Sequence, residues 1–408
     1  MPGGSRSAPA QSGATWSRRL SGRLDRHVGV LVLALLAYVP ALASSPGRMP
    51  ADTKLYLYLD PGGLLGRAAS TFESAQFAGW VPHQQIAYLW PSGPWFWLFD
   101  TLGVADWVAH RLWIGTIVFA AGAGVRWAAS ALGIGPSGST VAALVYQLSP
   151  FLLAYISRTS LLLLPWAGLG WIVALTIRAA TGASRPRAAG DVGWRDRAGA
   201  WRDPALIALI VATIGAVNAT ALALIIPGPL LWLVHATWQQ SIGRRQALGI
   251  ALRVGVLCGA VSLWWIGMLV VQSRHGAPVL SFSETLEDVS RNSTGSEIIR
   301  SLGYWLLYQR DPIGPTTTAS LPYLISLRSI AVSFAVALIG LLGLIAGTPL
   351  CWSPSAESSP LACTRSVHRR RSCRCSPTTP VQASLWRCAA VLERSPSFSW
   401  ASRWAPVR

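Results

Sequence analysis

Charged residues are scarce in this chain. Only 12% of its 408 residues are charged and 52% are hydrophobic, whereas soluble globular domains carry about 25% charged residues. A water-soluble fold of this length cannot bury so much apolar surface in one core. The composition therefore argues against an ordinary soluble domain and favours a protein that crosses a membrane several times.

Lysine is almost absent, and the basic residues are nearly all arginine. The chain has one lysine, Lys54, and a formal net charge of +18. Such a charge is compatible with nucleic-acid binding. The arginines, however, lie between apolar runs rather than along one face, as they do in cytoplasmic loops that follow the positive-inside rule. We therefore expect no nucleic-acid partner. Arginine in place of lysine, with abundant Ala, Gly and Pro, indicates a GC-rich bacterial genome.

The signatures of several enzyme and transporter classes are also missing. The chain has no Walker loop and no dinucleotide-binding fingerprint, which disfavours an ATP-driven pump and a nicotinamide-dependent enzyme. Five of the six cysteines lie after position 350. Among them, Cys373-Arg374-Cys375 lacks the two-residue gap of a zinc-ligand pair. We therefore expect no metal site in that part of the chain.

The tail, residues 349–408, is unlike the rest of the chain. It is rich in Arg, Ser, Pro and Cys and shows no hydrophobic periodicity. A GC-rich gene that is translated out of frame yields a mixture of this kind. We therefore predict that the tail is anomalous and that the chain is the front part of a longer protein.

Long apolar runs dominate residues 27–348 and predict an all-α polytopic membrane domain of about eight spans. The preceding residues 1–26 form a basic arm with little to pack, which we predict to be disordered. A cleaved signal peptide is the competing interpretation of the first run, but the run is long and further spans follow it. The predicted spans are 28–45, 107–127, 140–156, 161–178, two short helices within 204–237 that turn near Asn218, 248–271 and 321–347.

The distribution of arginine predicts the orientation of this domain in a bacterial plasma membrane. The N-terminus is expected in the cytoplasm, and two segments, residues 46–106 and 272–320, are expected on the outer face. The first segment is rich in Trp and broken by Gly and Pro, and the second contains five acidic residues. We predict short interfacial helices in these outer segments, and one re-entrant segment near residues 95–102.

Asp52 follows the first span and lies close in sequence to Arg48 and Lys54. At the outer edge of the membrane, these side chains would meet both a lipid phosphate and water. A carboxylate can act as general base toward a sugar hydroxyl, and the two cations can pair with a phosphate leaving group. An ordinary solvated loop is the alternative for these residues. Arg111, at the outer start of the next span, can hold a phosphate or extend toward the headgroups.

Short motifs in the same order along about residues 30–345 resemble the N-terminal membrane region of actinobacterial α-(1→3)-arabinofuranosyltransferases. Gln84 matches this family, whereas Ala87 stands at the position of a family glycine. The matching motifs are Ser45-Pro46-Gly47-Arg48, Asp52-Thr53-Lys54-Leu55, Tyr88-Leu89-Trp90-Pro91-Ser92-Gly93-Pro94-Trp95-Phe96, His110-Arg111-Leu112-Trp113, Ala131-Leu132-Gly133-Ile134-Gly135, Leu148-Ser149-Pro150 and Val217-Asn218-Ala219.

The resemblance implies a GT-C-like helical bundle with glycosyltransferase activity. The implied donor is a lipid that resembles decaprenylphosphoryl-arabinose, and the implied acceptor is a cell-wall arabinan or a related glycan outside the membrane. The sugar carbon would be inverted in one displacement, with Asp52 as the base. The resemblance adds Gln84 to the candidate substrate-binding residues Arg48, Lys54 and Arg111, which are inferred from their positions.

The use of a metal ion stays open at this point. Several GT-C relatives hold a divalent metal between a carboxylate and the phosphate, but no second acid adjoins Asp52 in the sequence. The nearest candidates, Asp60 and Glu73, are expected to face solvent.

Two other interpretations of the chain remain. A transporter of lipid-linked glycans would place ionisable groups near the middle of the bilayer, whereas the acids here cluster in the outer segments, which favours the enzyme. A non-catalytic, truncated remnant of such an enzyme is the second alternative. It rests on the anomalous tail, which stands where family members carry carbohydrate-binding modules.

Overall fold

The computed structural model describes residues 12–50, 52, 56–74, 79–82, 85–156, 159–184, 194–217, 219–278, 285–291, 293–302, 307–308, 310, 312–315 and 320–351. The chain divides into two compact units, residues 1–343 and 344–408. All side chains discussed below belong to the first unit. Of the second unit, the description covers the end of the last helix, so most of the predicted anomalous tail lies outside the described residues.

The described chain is helical, as the sequence predicts. One short 3₁₀ turn, Ser160–Leu162, lies between α8 and α9. The α-helices are α1 (Ser12–Ala43), α2 (Tyr56–Leu59), α3 (Pro61–Gly66), α4 (Gln85–Leu89), α5 (Ser92–Thr101), α6 (Asp106–Ala131), α7 (Pro136–Gln147), α8 (Phe151–Tyr155), α9 (Leu163–Ser184), α10 (Trp194–Ile214), α11 (Ala219–Ile225), α12 (Pro227–Trp238), α13 (Arg244–His275), α14 (Leu286–Arg291), α15 (Gly295–Ile299), α16 (Ser320–Ile325) and α17 (Leu327–Cys351).

In a first group of helices, α1, α7 and α9 pack around α6. Tyr38 near the end of α1 shares a 3.0 Å hydrogen bond with Thr116 in the first half of α6. Gly29 in α1 lies beside Arg126, near the end of α6, so the two helices are antiparallel. Arg126 Nε also donates to Thr140 Oγ1 at the start of α7, at 3.2 Å. The helices thus alternate in direction, as the predicted order of spans requires.

Helices α6 and α9 approach each other to backbone contact. A Cβ atom on Gly170 of α9 would lie 2.5 Å from the carbonyl carbon of Gly124 in α6. Beside this crossing, Trp171 Nε1 donates to the Ala120 carbonyl at 2.8 Å. Small residues at a helix crossing let van der Waals contact and hydrogen bonds hold the pair together in the apolar environment of a membrane.

A second group, α10, α12 and α13, packs on the other side of α9. Buried residues that include Ala180, Leu233 and Ile250 form a small separate core there. Arg178 of α9 pairs with Asp203 of α10, with Nε 2.9 Å from Oδ1. This ion pair marks the end of α9 that is distant from the 3₁₀ turn.

The first predicted outer segment folds into the short helices α2 to α5, as the sequence predicts. They cover the start of α6: the ring of Phe96 meets that of Tyr58 edge-on at 4.8 Å, and Trp95 Nε1 donates to the Ala109 carbonyl at 3.1 Å. Asp60 caps α3 by accepting the Gly63 N–H at 2.8 Å. The second outer segment contains α14 and α15.

Four helices in the described part of the chain are long and apolar enough to cross a membrane. Two further apolar helices, His27–Ala43 and Leu327–Gly343, are shorter. The predicted number of about eight spans therefore stays a prediction. Counted as continuous helical segments, the four are Asp106–Ala131 (α6), Ser160–Gly182 (the 3₁₀ turn with α9), Ala219–Trp238 (α11 with α12) and Arg244–His275 (α13).

Two predicted boundaries differ from the structure. The predicted span 140–156 is divided into α7 and α8, because Pro150 has no N–H to donate and disfavours helical geometry at Ser149 before it. Helix α1 begins at Ser12, so residues 12–26 of the arm that we predicted to be disordered are helical. Arg and Leu are good helix formers. The apolar part of α1 continues directly from this segment, so the segment extends an existing helix and does not need to nucleate its own.

Candidate functional site

Asp52 lies where the start of α6 meets the 3₁₀ turn, and its side chain is fully buried. One carboxylate oxygen, Oδ1, accepts the Ser160 backbone N–H at 2.9 Å. The other, Oδ2, lies 3.0 Å from His110 Nε2. The backbone carbonyl of Asp52 accepts a hydrogen bond from the Tyr58 hydroxyl. A buried carboxylate is stabilised when hydrogen bonds replace its lost hydration, and these contacts fix both its position and its orientation.

The proton on His110 can be assigned from its second neighbour. Arg111 Nη1 lies 3.3 Å from His110 Nδ1. A guanidinium has only donors, so Nδ1 must accept, and the imidazole proton is on Nε2, directed at Asp52. A chain of hydrogen bonds therefore links the Arg111 cation through a neutral imidazole to the buried carboxylate.

The local sequence explains how these groups meet. Helix α6 begins at Asp106, so His110 and Arg111 lie in its second turn, and adjacent helix positions project about 100° apart. His110 is therefore directed into the protein while Arg111 reaches the side of the helix. Ser160 begins the 3₁₀ turn, and the first N–H groups of a helical turn have no partner within it. The Ser160 N–H is thus free to bind Asp52.

A cavity of about 540 Å³ adjoins this cluster, between α1, α6 and the turn from α7 to α8. Arg48 and Arg111 both line it, and Arg111 Nη2 donates to the Arg48 carbonyl at 3.2 Å. The Nε atom of Arg111 is buried and has no hydrogen-bond partner within the described part of the chain. The remaining walls are mostly apolar side chains, including Leu36, Ile114 and Val118. The cavity combines cationic groups with apolar walls, which suits an amphipathic anion.

The structure brings together three of the five residues that the sequence singles out. Arg48 and Arg111 line the cavity, and Asp52 is linked to Arg111 through His110. Lys54 and Gln84, two predicted substrate-binding residues, lie outside the described residues.

Sequence reasoning did not assign three residues that hold Asp52. His110 carried a usable signal, because an ionisable residue inside an apolar run is a candidate for function. Ser160 contributes only its backbone and Tyr58 only a hydroxyl, so neither could be found from its residue type.

The described residues around Asp52 do not form a metal site. No group of three or more His, Cys, Asp or Glu side chains in the described ranges could hold a metal ion. Asp60 is exposed and caps α3. Glu73 was expected to face solvent, but it is buried at 5% exposure, and its Oε2 accepts from Arg67 Nε at 3.2 Å. Both acids thus make contacts of their own, with the Gly63 N–H and with Arg67.

Comparison with known proteins assigns the chain. Residues 36–350, more than half of the chain, match the family described as alpha-(1->3)-arabinofuranosyltransferase, N-terminal GT-C domain. The chain belongs to this family. Asp52, His110 and both cavity arginines lie inside the matched region.

Two curated members of the arabinofuranosyltransferase family are similar to the chain over most of its length. The alpha-(1->3)-arabinofuranosyltransferase of Mycobacterium tuberculosis is 32% identical over 78% of this chain. That of Mycolicibacterium smegmatis is 30% identical over 77% of it. The chain spans only 21% of the length of each relative.

A solved structure agrees with the fold. The cryo-EM structure of arabinofuranosyltransferase AftD from mycobacteria is similar with a TM-score of 0.54 and 26% identity. The similarity covers 79% of this chain and 26% of that one. The GT-C-like membrane fold expected from the sequence is therefore confirmed.

Proposed function

We propose that this chain is the membrane-embedded part of an arabinofuranosyltransferase that uses a polyprenyl-phosphate donor such as decaprenylphosphoryl-arabinose. The acceptor is a cell-wall arabinan or a related glycan. The observation that supports this proposal most directly is a buried carboxylate, Asp52, that His110 links to Arg111 in the wall of a cavity lined by two arginines and apolar side chains. Membership of the arabinofuranosyltransferase family agrees with that chemistry.

The cavity suits the donor lipid at both of its ends. The guanidinium groups of Arg48 and Arg111 can bind phosphate oxygens, because Arg presents several donors in a planar fork. The apolar side chains of α1 and α6, among them Leu36 and Val118, can pack against the first isoprene units. Orientation by a few polar groups within apolar walls is typical of small-molecule sites.

The proposed step is one displacement at the anomeric carbon. The acceptor hydroxyl oxygen forms a bond to that carbon, and the bond from the carbon to the phosphate oxygen breaks with its electron pair on polyprenyl phosphate. Asp52 takes the hydroxyl proton as general base. Arg48 and Arg111 stabilise the charge on the leaving phosphate. A single displacement inverts the anomeric configuration.

Two features of the site shape this mechanism. Because Asp52 is covered, the acceptor must uncover its carboxylate when it binds. We assign the phosphate charge to the two arginines, because both line the cavity. Lys54, from its position near Asp52 in the sequence, and Gln84, from the resemblance, complete the substrate contacts in the proposal.

The proposed orientation puts Asp52 at the outer face of a bacterial plasma membrane and the N-terminus in the cytoplasm. Asp52 lies near the start of α6, whereas Arg126 and Arg178 lie near the opposite ends of α6 and α9. Arg178 stacks over Trp127 at 5.3 Å at that end. An excess of arginine marks the cytoplasmic side, which supports this orientation.

An Asp52→Asn substitution tests the proposed base. Purified chain in lipid vesicles is supplied with synthetic radiolabelled donor and a short arabinan, and transfer to the glycan is counted. Loss of a general base costs about 10²–10⁴-fold in rate, so we expect at least a hundredfold loss. Asp100→Asn is the matched control, because Asp100 is exposed in α5. Equal rates for wild type and Asp52→Asn, at equal amounts of folded protein, would refute the role of Asp52.

A further inference from the structure

A second cavity lies on the other side of the turn between α7 and α8. It measures about 730 Å³ and is bounded by that turn, by Arg300 after α15, and by α16 and α17. Leu148 lines both this cavity and the one beside Asp52. The two cavities are therefore neighbours at one level of the bundle, with the turn between them.

A buried cation, Arg300, forms one wall of the second cavity. It is only 7% exposed. Its Nε donates to Ser333 Oγ at 2.8 Å and its Nη2 to the Tyr323 carbonyl at 2.6 Å. The guanidinium also lies over the rings of Tyr323 and Phe334, at 5.3 and 5.8 Å. The side chain is thus held in one position by neutral groups.

No carboxylate in the described part of the chain lies within salt-bridge distance of Arg300. A buried charge without a counter-ion is unfavourable, and burial normally requires pairing. A guanidinium has five N–H donors, and the hydrogen bonds to Ser333 and Tyr323 use two of them. Arg300 can therefore still bind an anion from the cavity.

Two more polar groups line the same space. Arg328 in the first turn of α17 is exposed. Ser149 Oγ is buried and has no hydrogen-bond partner among the described residues. A hydroxyl of this kind is satisfied when a ligand oxygen occupies the cavity. The polar end of the cavity thus offers two cations and one free hydroxyl group.

The cavity wall becomes apolar along α17. The face that lines the cavity runs from Arg328 and Ser329 through Ser333 to Val336 and Gly340. From Ser329 to Gly340 the helix rises about 16 Å. On the α7 side, Leu144 and Val145 precede Ser149 in the same way. Both walls therefore have a polar end near the turn and an apolar end farther along.

We propose that this second cavity binds the phosphate headgroup of an anionic membrane lipid. The phosphate contacts Arg300, Arg328 and Ser149, and an acyl chain lies along Val332, Val336 and Gly340 of α17. The site is distinct from the cavity that Arg48 and Arg111 line, because the two cavities share only Leu148 among their lining residues. The proposal does not depend on arabinofuranosyl transfer.

The test measures lipid binding to the purified full chain in detergent. Native mass spectrometry titrates short-chain phosphatidylglycerol, phosphatidylcholine and inorganic phosphate separately. Phosphatidylglycerol should bind more tightly than phosphatidylcholine, and Arg328→Gln should weaken it about tenfold, since hydrogen bonds between charged groups have about that worth. Arg291→Gln is the control, because Arg291 is an exposed arginine outside the cavity.

Arg300→Lys supplies a second variant, because it keeps the charge but not the planar fork. We expect weaker binding of phosphatidylglycerol when the variant and the wild type are compared at equal amounts of folded protein. Equal binding of the two lipids, or unchanged binding in both cavity variants, would overturn the proposal. If inorganic phosphate binds as tightly and with the same dependence on Arg328, the ligand is free phosphate, and the lipid assignment is wrong.

Discussion

The contact between His110 and Asp52 makes a quantitative prediction about stability. His110→Ala removes the donor 3.0 Å from Asp52 Oδ2 and leaves a fully buried carboxylate oxygen without it. Loss of the neutral imidazole donor leaves a buried, charged acceptor desolvated and unpaired, which costs about 3 kcal/mol, the upper end of the range for an unsatisfied buried group. Asp52→Ala leaves His110 Nε2 without an acceptor, and it costs less because the remaining group is neutral.

The pair of substitutions together should cost less than the sum of the two. In the double variant neither unpaired group remains, so the two single costs should exceed the double cost by about 1.5–3 kcal/mol, the worth of a hydrogen bond to a charged group. The free energy of unfolding can be measured by SDS titration in mixed micelles, with tryptophan fluorescence as the signal.

A control cycle with Asp100→Ala and His235→Ala separates this coupling from general effects. No hydrogen bond between these two residues is found in the structure, and they belong to α5 and α12. Their costs should add within about 0.5 kcal/mol. If the costs of His110→Ala and Asp52→Ala also add within that margin, the argument that His110 holds the buried carboxylate is refuted.

Two further predictions concern the helix crossing and the cavity. Gly170→Ala should destabilise the chain by about 1–3 kcal/mol, as overpacked sites do, because the added Cβ would lie 2.5 Å from the backbone of Gly124. In the control Gly182→Ala the added Cβ meets open space, so the melting temperature should stay unchanged. Equal melting temperatures of the two variants would contradict the close helix crossing. Arg111→Lys should raise the KM for the donor, because lysine lacks the planar guanidinium fork that binds phosphate. The KM is obtained from initial rates at a series of donor concentrations. An unchanged KM would exclude Arg111 from the phosphate site.

The membrane helices were largely predictable, because their signal is local. The apolar runs at 107–127, 161–178 and 248–271 lie within α6, within the 3₁₀ turn and α9 together, and within α13. The break between α7 and α8 also has a local signal, Pro150, but the prediction of one span over 140–156 used hydropathy alone. The start of α1 was missed because its basic residues were taken as a sign of disorder, although they extend an apolar helix.

The candidate site was predictable only in part, because its contacts are tertiary. Asp52 could be found from its position after the first apolar run. Its partners His110 and Ser160 are 58 and 108 positions away, and no local pattern joins them to it. The burial of Glu73 was missed for the same reason, since it depends on Arg67 and on the short helices around it.

The most direct test of the account is the structure of the product that the chain forms from a polyprenyl-phosphate arabinofuranose donor. A donor with a β-linked, ¹³C-labelled sugar is incubated with vesicles that contain the purified chain and a short arabinan, and the anomeric signal of the product is read by NMR. We predict a new α-linked arabinofuranose on the glycan, as one displacement requires. A β-linked product, or no product from folded chain that binds the donor, would contradict the account.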